Sequence, residues 1–181
     1  MGSEIDLEMG SEFINPIIIL PKGETIKLVL DARYLNSITD LSSYSWPLEP
    51  LNVLLTRIRG AYFTTSDLSY AYSQVPLTDE TQKLVSFVIG DKQFTFKKGF
   101  YGLAGLPNLF SRIMTIHFAP LIRRKAAMTY IDDLMLQANN IPEMMVNIKE
   151  YHALFISAGL KAAPEKTKFF LQSVKFLGHM I

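Results

Sequence analysis

The 181-residue sequence contains no cysteine, which excludes disulfide bridges and thiolate metal sites. Without cysteine, an intracellular setting is mildly favoured over a secreted one. No apolar run approaches the ~20 residues needed to span a bilayer, and no secretory signal pattern is present. With 49% hydrophobic and 19% charged residues, the composition is that of a globular protein with one core, or a core plus a lobe.

The first thirteen residues are expected to be an expression leader. The letters MGSE at positions 1–4 recur at positions 9–12, and GSEF is typical of a cloning scar. This segment carries four acidic residues and no basic one, so its removal raises the formal net charge from +1 to +5. The remaining charge is compatible with a nucleic-acid partner but is not evidence of one.

Three parts of the sequence have the pattern of paired short strands. Apolar, β-rich runs flank Lys22–Glu24 and Gly90–Asp91, and each arrangement predicts a hairpin. Residues 168–181 are expected to close the chain as another pair of short strands.

Two longer segments have helical spacing of their apolar residues. They predict a helix over 107–125, kinked at Pro120, and a helix over 143–157 that ends before Gly159. A short helix is also expected at about 50–57. Strands interleaved with helices in this order indicate an α+β fold, an antiparallel sheet with its helices on one face.

The segment MTYIDDLML, residues 128–136, places two carboxylates between two apolar runs. It predicts strands at 129–131 and 134–136, with Asp132 and Asp133 at the joint. Because adjacent carboxylates repel and unpaired burial is costly, a positive partner is expected nearby. That partner is either a basic side chain or a hard divalent cation.

Asp67 is a further acidic residue at the end of an apolar predicted strand. If the two strands are neighbours, Asp67 joins Asp132 in a site suited to two-metal phosphoryl transfer. Each signal alone has an ordinary explanation. An Asp-Asp pair at a turn is usually solvated, and Ser-Asp-Leu is a common helix cap. These residues alone therefore leave the structural alternative open.

Five motifs in order resemble those of reverse transcriptases. Tyr130–Asp133 is similar to the family's Tyr-X-Asp-Asp box, and FTTSDLSYAYSQVPL is similar to its first-aspartate motif. The other three are a fingers segment, a Phe-Gly-Leu…Pro…Phe motif and the end of the palm of gypsy-type retrotransposons and retroviruses: PKGETIKLVLDARYLN, GFYGLAGLPNLFSRIM and KTKFFLQSVKFLGHMI. Together the motifs cover about residues 15–181.

The resemblance implies a polymerase palm, a small antiparallel sheet backed by helices, with a fingers lobe and no thumb. Fingers are expected at 14–60 and 78–103, and palm at 61–77 and 104–181, ending at a primer grip of Phe176–Gly178. A parent polyprotein would supply the thumb and ribonuclease H domains. The implied setting is intracellular, in the cytoplasm or a virus-like particle.

The implied reaction is template-directed addition of deoxynucleoside triphosphates to a primer 3′ end, on an RNA or DNA template. The resemblance makes Asp67 and Asp132 the principal ligands of Mg²⁺, with Mn²⁺ as an alternative, and Asp133 a weaker contributor. Lys166 matches a lysine near the nucleotide that could protonate pyrophosphate. The alternative is a catalytically weak or inactive remnant that binds nucleic acid or serves as a scaffold.

The resemblance also implies a nucleotide pocket. Tyr72 matches the steric gate, an aromatic ring that excludes a ribose 2′-hydroxyl, and Tyr101 is expected to line the same pocket. Lys22 and Lys27 are expected to hold triphosphate oxygens as point charges. Arg33 is expected to fix local structure instead.

Overall fold

The computed structural model describes residues 5–7, 10–23, 25–68 and 70–181, without the side chains of Lys22, Thr25 and Lys27. The chain divides into two compact units. The first unit is Met1–Ser45 with Tyr72–Leu106, and the second unit is Trp46–Ala71 with Pro107–Ile181. Their assignment as fingers and palm stays a prediction.

Short strands and helices alternate along both units. In chain order they are β1 (Ile5–Leu7), β2 (Ile17–Lys22), β3 (Thr25–Leu30), α1 (Arg33–Ile38), α2 (Leu51–Leu55), β4 (Tyr62–Ser66), α3 (Asp79–Leu84), β5 (Ser86–Ile89), β6 (Lys92–Phe96), α4 (Leu106–His117), α5 (Ala119–Arg123), β7 (Ala127–Tyr130), β8 (Asp133–Ala138), α6 (Ile141–Ser157), β9 (Lys168–Leu171), β10 (Lys175–Phe176) and β11 (His179–Met180). The named strands pair antiparallel throughout, which confirms the predicted α+β class.

The first unit contains two antiparallel sheets. One is the β2–β3 hairpin and the other has the order β1-β6-β5, so both predicted hairpins are confirmed. The turn between β5 and β6 uses Gly90 at φ +64°, a conformation that glycine adopts without steric cost. Strand β1 comes from the segment expected to be a leader, and the origin of that segment stays a prediction. The buried core of this unit includes Leu30, Val85, Phe87 and Phe96.

The second unit is organised around a four-stranded sheet of order β7-β8-β4-β9. Strand β8 lies inside the sheet, and its residues from Leu134 to Ala138 are buried. A strand covered on both faces needs apolar residues at successive positions rather than alternate ones. This explains why residues 134–138, with the sequence LMLQA, include only one polar residue, Gln137.

The two faces of this sheet are covered by different elements. On one face, Thr64 and Ser66 of β4 contact Met144 and Tyr151 of α6. The other face packs against α2 and the segment that carries β10 and β11, in a buried cluster of Leu54, Phe63, Met128, Met135, Val174 and Phe176. The short helix α2 thus lies on the face opposite α6, whereas Phe118, between α4 and α5, stacks on Tyr151 of α6.

The two longer helices lie where they are predicted, but the first is divided into α4 and α5, and α6 begins at Ile141, two residues before its predicted start. The first is interrupted at Phe118, so that α5 begins next to Pro120. Helix α6 begins at an Asn140 cap and is followed by Gly159 at φ +64°. Residues 168–181 differ from the prediction, because β9 pairs with β4 and only β10 and β11 pair with each other. Within the described ranges, no helix is long and apolar enough to cross a membrane.

The buried side chain of Gln137 connects three segments of the second unit. Its Oε1 accepts hydrogen bonds from the backbone N–H groups of Arg59 and Gly60 at 2.9 and 3.1 Å. Its Nε2 donates to the carbonyl oxygens of Arg57 and Lys125 at 3.1 and 2.8 Å. All the hydrogen-bonding capacity of the amide is thus used to hold the segment before β4 against β8.

We expect Gln137→Leu to lower the free energy of unfolding by about 2–4 kcal/mol, because several partly buried backbone groups lose their partners. Urea denaturation of both proteins measures the difference. Gln93→Leu is the matched control, since half-buried Gln93 donates one such bond, to Ser11. Equal losses in the two variants would contradict a special contribution from Gln137.

Candidate functional site

The predicted carboxylates meet at one end of the four-stranded sheet. Strands β4 and β8 are in register up to Ser66 opposite Leu134. Continuing this register by one residue places Asp67 opposite Asp133, and side chains of directly opposed residues project from the same face. Asp132 lies in the adjoining turn. The strand-neighbour arrangement expected for Asp67 and the Asp pair is therefore present.

The turn that carries Asp132 is tighter than expected. Tyr130 pairs with Asp133, so only Ile131 and Asp132 connect β7 to β8. Ile131 has φ +57°, as two-residue hairpin turns require, although this region is unfavourable for a β-branched residue. Strained backbone of this kind concentrates at functional sites. The strand limits predicted on either side of the turn are wrong, because Ile131 belongs to the turn and Asp133 begins β8.

Negative charge accumulates at this sheet end. The pKa of Asp133 is raised above its ordinary value, first by partial desolvation of the carboxylate and then by the charges of Asp132 and Asp67. Within the described residues, the ion pairs at this end of the sheet include neither Asp132 nor Asp133. The repulsion inferred from the dipeptide is thus present, and a cation would relieve it.

Lys166 lies close to Asp67. Its Nζ donates to Asp67 Oδ2 at 2.9 Å, with 59% and 38% of the two side chains exposed. An exposed pair of this kind contributes only ~0–1 kcal/mol to stability. The pair nevertheless places a predicted site lysine, 99 residues away in sequence, directly at the first aspartate.

The donor atoms of this site suit Mg²⁺, although the side chains that the structure describes do not by themselves complete a metal site. Among the residues in the described ranges, no three acidic, histidine or cysteine side chains lie close enough to hold a metal ion. Mg²⁺ prefers oxygen ligands and is usually held by one or two carboxylates together with substrate phosphates. Asp67 and the Asp pair fit that partial donor set.

Two predicted nucleotide-pocket residues, Tyr72 and Tyr101, meet within the first unit. Their rings are edge to face, with centroids 5.0 Å apart. Gly99 supports this arrangement, because a Cβ there would lie 2.6 Å from the carbonyl oxygen of Tyr72. Gly99 was not among the predicted site residues; its position directly before the aromatic pair Phe100–Tyr101 is the available sequence signal.

The basic residues expected in the fingers have different outcomes. The side chains of Lys22 and Lys27 lie outside the described part of the chain, so their triphosphate contacts stay predictions. Arg33 pairs with Asp31 through two hydrogen bonds of 2.8 and 2.6 Å. These bonds lower the pKa of Asp31 to about 2. These contacts support the expected local role of Arg33, which stays a prediction.

The predicted primer grip is a hairpin turn between β10 and β11. Leu177 and Gly178 form it with φ angles of +49° and +84°. Phe176 is 3% exposed and belongs to the cluster that covers the sheet. The structure therefore makes Phe176 a core residue and leaves Leu177 and Gly178 at the turn. Their contact with a primer stays a prediction.

Comparisons with known proteins agree with the motifs. A family model described as reverse transcriptase (RNA-dependent DNA polymerase) matches residues 21–181. The retrovirus-related Pol polyproteins of transposons 412 and gypsy from Drosophila melanogaster are 30% and 28% identical over 177 and 155 residues. The matches cover 93% and 86% of this chain but 14% and 15% of the polyproteins. The chain thus spans about a seventh of these relatives.

Solved structures of a foamy viral protease-reverse transcriptase share the fold. The complex with RNA/DNA hybrid has a TM-score of 0.86 over 98% of this chain and 24% of its own. A complex with double-stranded DNA has a TM-score of 0.87 over 99% of this chain and 31% of its own. Both are 23% identical, so the likeness concerns the fold. Because the family model matches most of the sequence, the chain belongs to the reverse transcriptase (RNA-dependent DNA polymerase) family.

Proposed function

We propose that this chain provides the nucleotidyl-transfer site of an RNA-directed DNA polymerase. The observation that carries the proposal is the register of β4 and β8, which brings Asp67 opposite Asp133 beside the turn containing Asp132. The pKa of Asp133 is raised by partial desolvation and then by the charges of Asp132 and Asp67, and phosphoryl-transfer enzymes use clustered carboxylates of this kind to hold cations.

In this proposal, Asp67 and Asp132 are the principal ligands of Mg²⁺ or Mn²⁺, and Asp133 contributes more weakly. When bound, the cations supply charge neutralisation at the triphosphate and acidify the primer 3′-hydroxyl. The two carboxylates orient the bound groups from fixed backbone positions, one at a strand end and one in a strained turn. In the same proposal, Lys166 donates a proton to the leaving pyrophosphate; its Nζ contact with Asp67 Oδ2 supports this role.

The proposed substrates are deoxynucleoside triphosphates and a primer annealed to an RNA or DNA template. The foamy viral enzyme was solved with an RNA/DNA hybrid and with double-stranded DNA, and both ligand types are compatible with such a template and primer. In this proposal Lys22 and Lys27 hold the triphosphate, and Leu177 and Gly178 contact the primer. The transposon relatives of this chain suggest that the reaction takes place in the cytoplasm or in a virus-like particle.

Primer extension tests the proposal directly. The full chain is incubated with a poly(rA)–oligo(dT) template-primer, deoxythymidine triphosphate and either Mg²⁺ or Mn²⁺. We expect cation-dependent extension of the primer and none in a chelating buffer. Binding of the template-primer without extension under either cation would contradict the catalytic proposal and favour the nucleic-acid-binding remnant.

We expect Tyr72→Val to increase ribonucleotide incorporation relative to deoxynucleotide incorporation, because the ring that excludes the 2′-hydroxyl is removed. A loss of about 1–3 kcal/mol of discrimination corresponds to a roughly 10–200-fold rise in the ratio of ribonucleotide to deoxynucleotide incorporation. Competition between the two nucleotides in primer extension gives the ratio.

Tyr101→Phe is the control for Tyr72→Val, since it keeps the partner ring and removes only its hydroxyl. A Tyr72→Val ratio equal to that of the wild type would refute the gate.

A further inference from the structure

Helix α6 contacts the strand that delivers the first aspartate through a buried hydrogen bond. The hydroxyl of Tyr151 donates to Ser66 Oγ at 2.7 Å, and the two residues are 6% and 4% exposed. Ser66 is the last residue of β4 and directly precedes Asp67. A bond between residues 85 positions apart therefore fixes the end of the strand that presents this carboxylate.

The backbone of Asp67 is held from a second direction. Its carbonyl oxygen accepts a hydrogen bond from Ala163 N–H at 3.0 Å, and Leu68 forms an isolated bridge with Ala162. Consecutive residues of a strand project to opposite faces. Because Ser66 is fixed against α6, the Asp67 side chain is directed to the other face, where Asp133 also projects.

We propose that Tyr151, through its side-chain hydroxyl, is a positioning residue for Asp67. The inference rests on the proposed function, since it concerns the orientation of a ligand in the nucleotidyl-transfer site. Tyr151 does not contact the carboxylate; it acts through Ser66, whose rotation about the strand axis would turn Asp67 away from Asp133. Removal of a group that hydrogen-bonds directly to a metal ligand typically changes metal affinity by about 10–100-fold, and Tyr151, which is one residue further from the metal, is expected at the lower end of this range.

The hydroxyl can be removed without disturbing the packing of the ring. Tyr151 is stacked on Phe118 at 5.6 Å and tilted against Phe155 at 5.3 Å, and Tyr151→Phe keeps both contacts. This variant leaves Ser66 Oγ buried without its donor, which costs stability. The double variant Tyr151→Phe with Ser66→Ala removes both partners, and such paired removal is often nearly neutral for stability. Positioning and stability can therefore be separated.

A matched control lies two residues earlier on the same strand face. Thr64 Oγ1 contacts Met144 Sδ of α6 at 3.4 Å and is fully buried. Thr64→Val disturbs the same interface of β4 and α6, and also removes the acceptor of the Phe170 N–H of β9 at 3.4 Å, without touching the residue next to Asp67. A general loosening of the interface between β4 and α6 would weaken metal binding in both Thr64→Val and Tyr151→Phe. Loss of Asp67 positioning would weaken it only in variants that change the contact at Ser66.

The test measures Mn²⁺ binding by electron paramagnetic resonance on the full chain, with thermal melts of every variant. We expect Tyr151→Phe and the double variant to bind Mn²⁺ about 10-fold more weakly than the wild type. The double variant should melt close to the wild type, and Thr64→Val should keep wild-type affinity.

The outcomes separate the two levels of inference. Wild-type affinity in the double variant would overturn the positioning role and leave the proposed function standing. Equal weakening by Thr64→Val would also overturn it, since the effect would then follow the whole interface. Absence of Mn²⁺ binding by the wild type would instead count against the proposed metal site, and the positioning role would fail with it.

Discussion

Asp67→Asn and Asp132→Asn are each expected to lower the rate of nucleotide addition by at least about 10³-fold. The carboxylates hold the cations, and metal ions contribute several kcal/mol of transition-state charge stabilisation, with each 1.36 kcal/mol worth tenfold in rate. An amide keeps the size of the side chain but loses its charge. Primer extension with saturating template-primer and deoxynucleotide measures the loss.

The fold is expected to survive these substitutions, because each removes charge from a repelling group and the exposed ion pair that Asp67→Asn breaks contributes only ~0–1 kcal/mol. Thermal melts in chelating buffer read this out. Asp91→Asn is the matched control, since Asp91 is an exposed aspartate in the β5–β6 turn of the first unit. It should change neither activity nor melting temperature. A strong fall in the melting temperature of Asp132→Asn without metal would make the Asp pair structural and weaken the polymerase proposal.

Local sequence signals predicted local structure well. The Gly90–Asp91 turn, the Asp132 turn and the α6 stop at Gly159 each depend on residues within a few positions of one another. Helix α3 was missed, although Thr78 caps it by accepting a hydrogen bond from Thr81 N–H. With six residues, it is too short to show a repeating apolar face.

Long-range contacts could not be predicted from such signals. The pattern of β9 indicated a strand but not its partner, and β4 lies about a hundred positions earlier. The contacts of Lys166 with Asp67 and of Tyr151 with Ser66 depend on the same topology. Family motifs supplied the expected position of Lys166. Tyr151 belongs to no recognised motif, so only the structure showed its contact with Ser66.

In metal-free buffer, Asp133→Asn is expected to be more stable than the wild type at neutral pH. Partial desolvation and the neighbouring Asp132 and Asp67 charges raise the pKa of Asp133 in the folded protein above its ordinary value, so the folded state binds its proton more tightly than the unfolded state. The wild type therefore loses stability as pH rises from about 3.8 through the raised value. Below that window the Asp133 carboxyl is protonated in both states, and this pH-dependent loss is absent.

Urea denaturation from pH 3 to pH 8 in chelating buffer measures this difference between Asp133→Asn and the wild type. Asp31→Asn provides a control of opposite sign, because Arg33 lowers the pKa of Asp31 to about 2. Replacing the Asp31 carboxylate should therefore reduce the free energy of unfolding above about pH 4. If Asp133→Asn follows the wild-type curve across the window, the carboxylate is not strained by its neighbours.

A divalent cation should reverse the order of the Asp133→Asn and wild-type stabilities. A ligand at 100 times its Kd stabilises the folded state by about 2.7 kcal/mol. The wild type, with all three aspartates, should gain this amount at saturating Mn²⁺, and Asp133→Asn should gain less because one oxygen donor is lost. The same stabilisation of both proteins by Mn²⁺ would show that Asp133 is not a ligand and would restrict the site to Asp67 and Asp132.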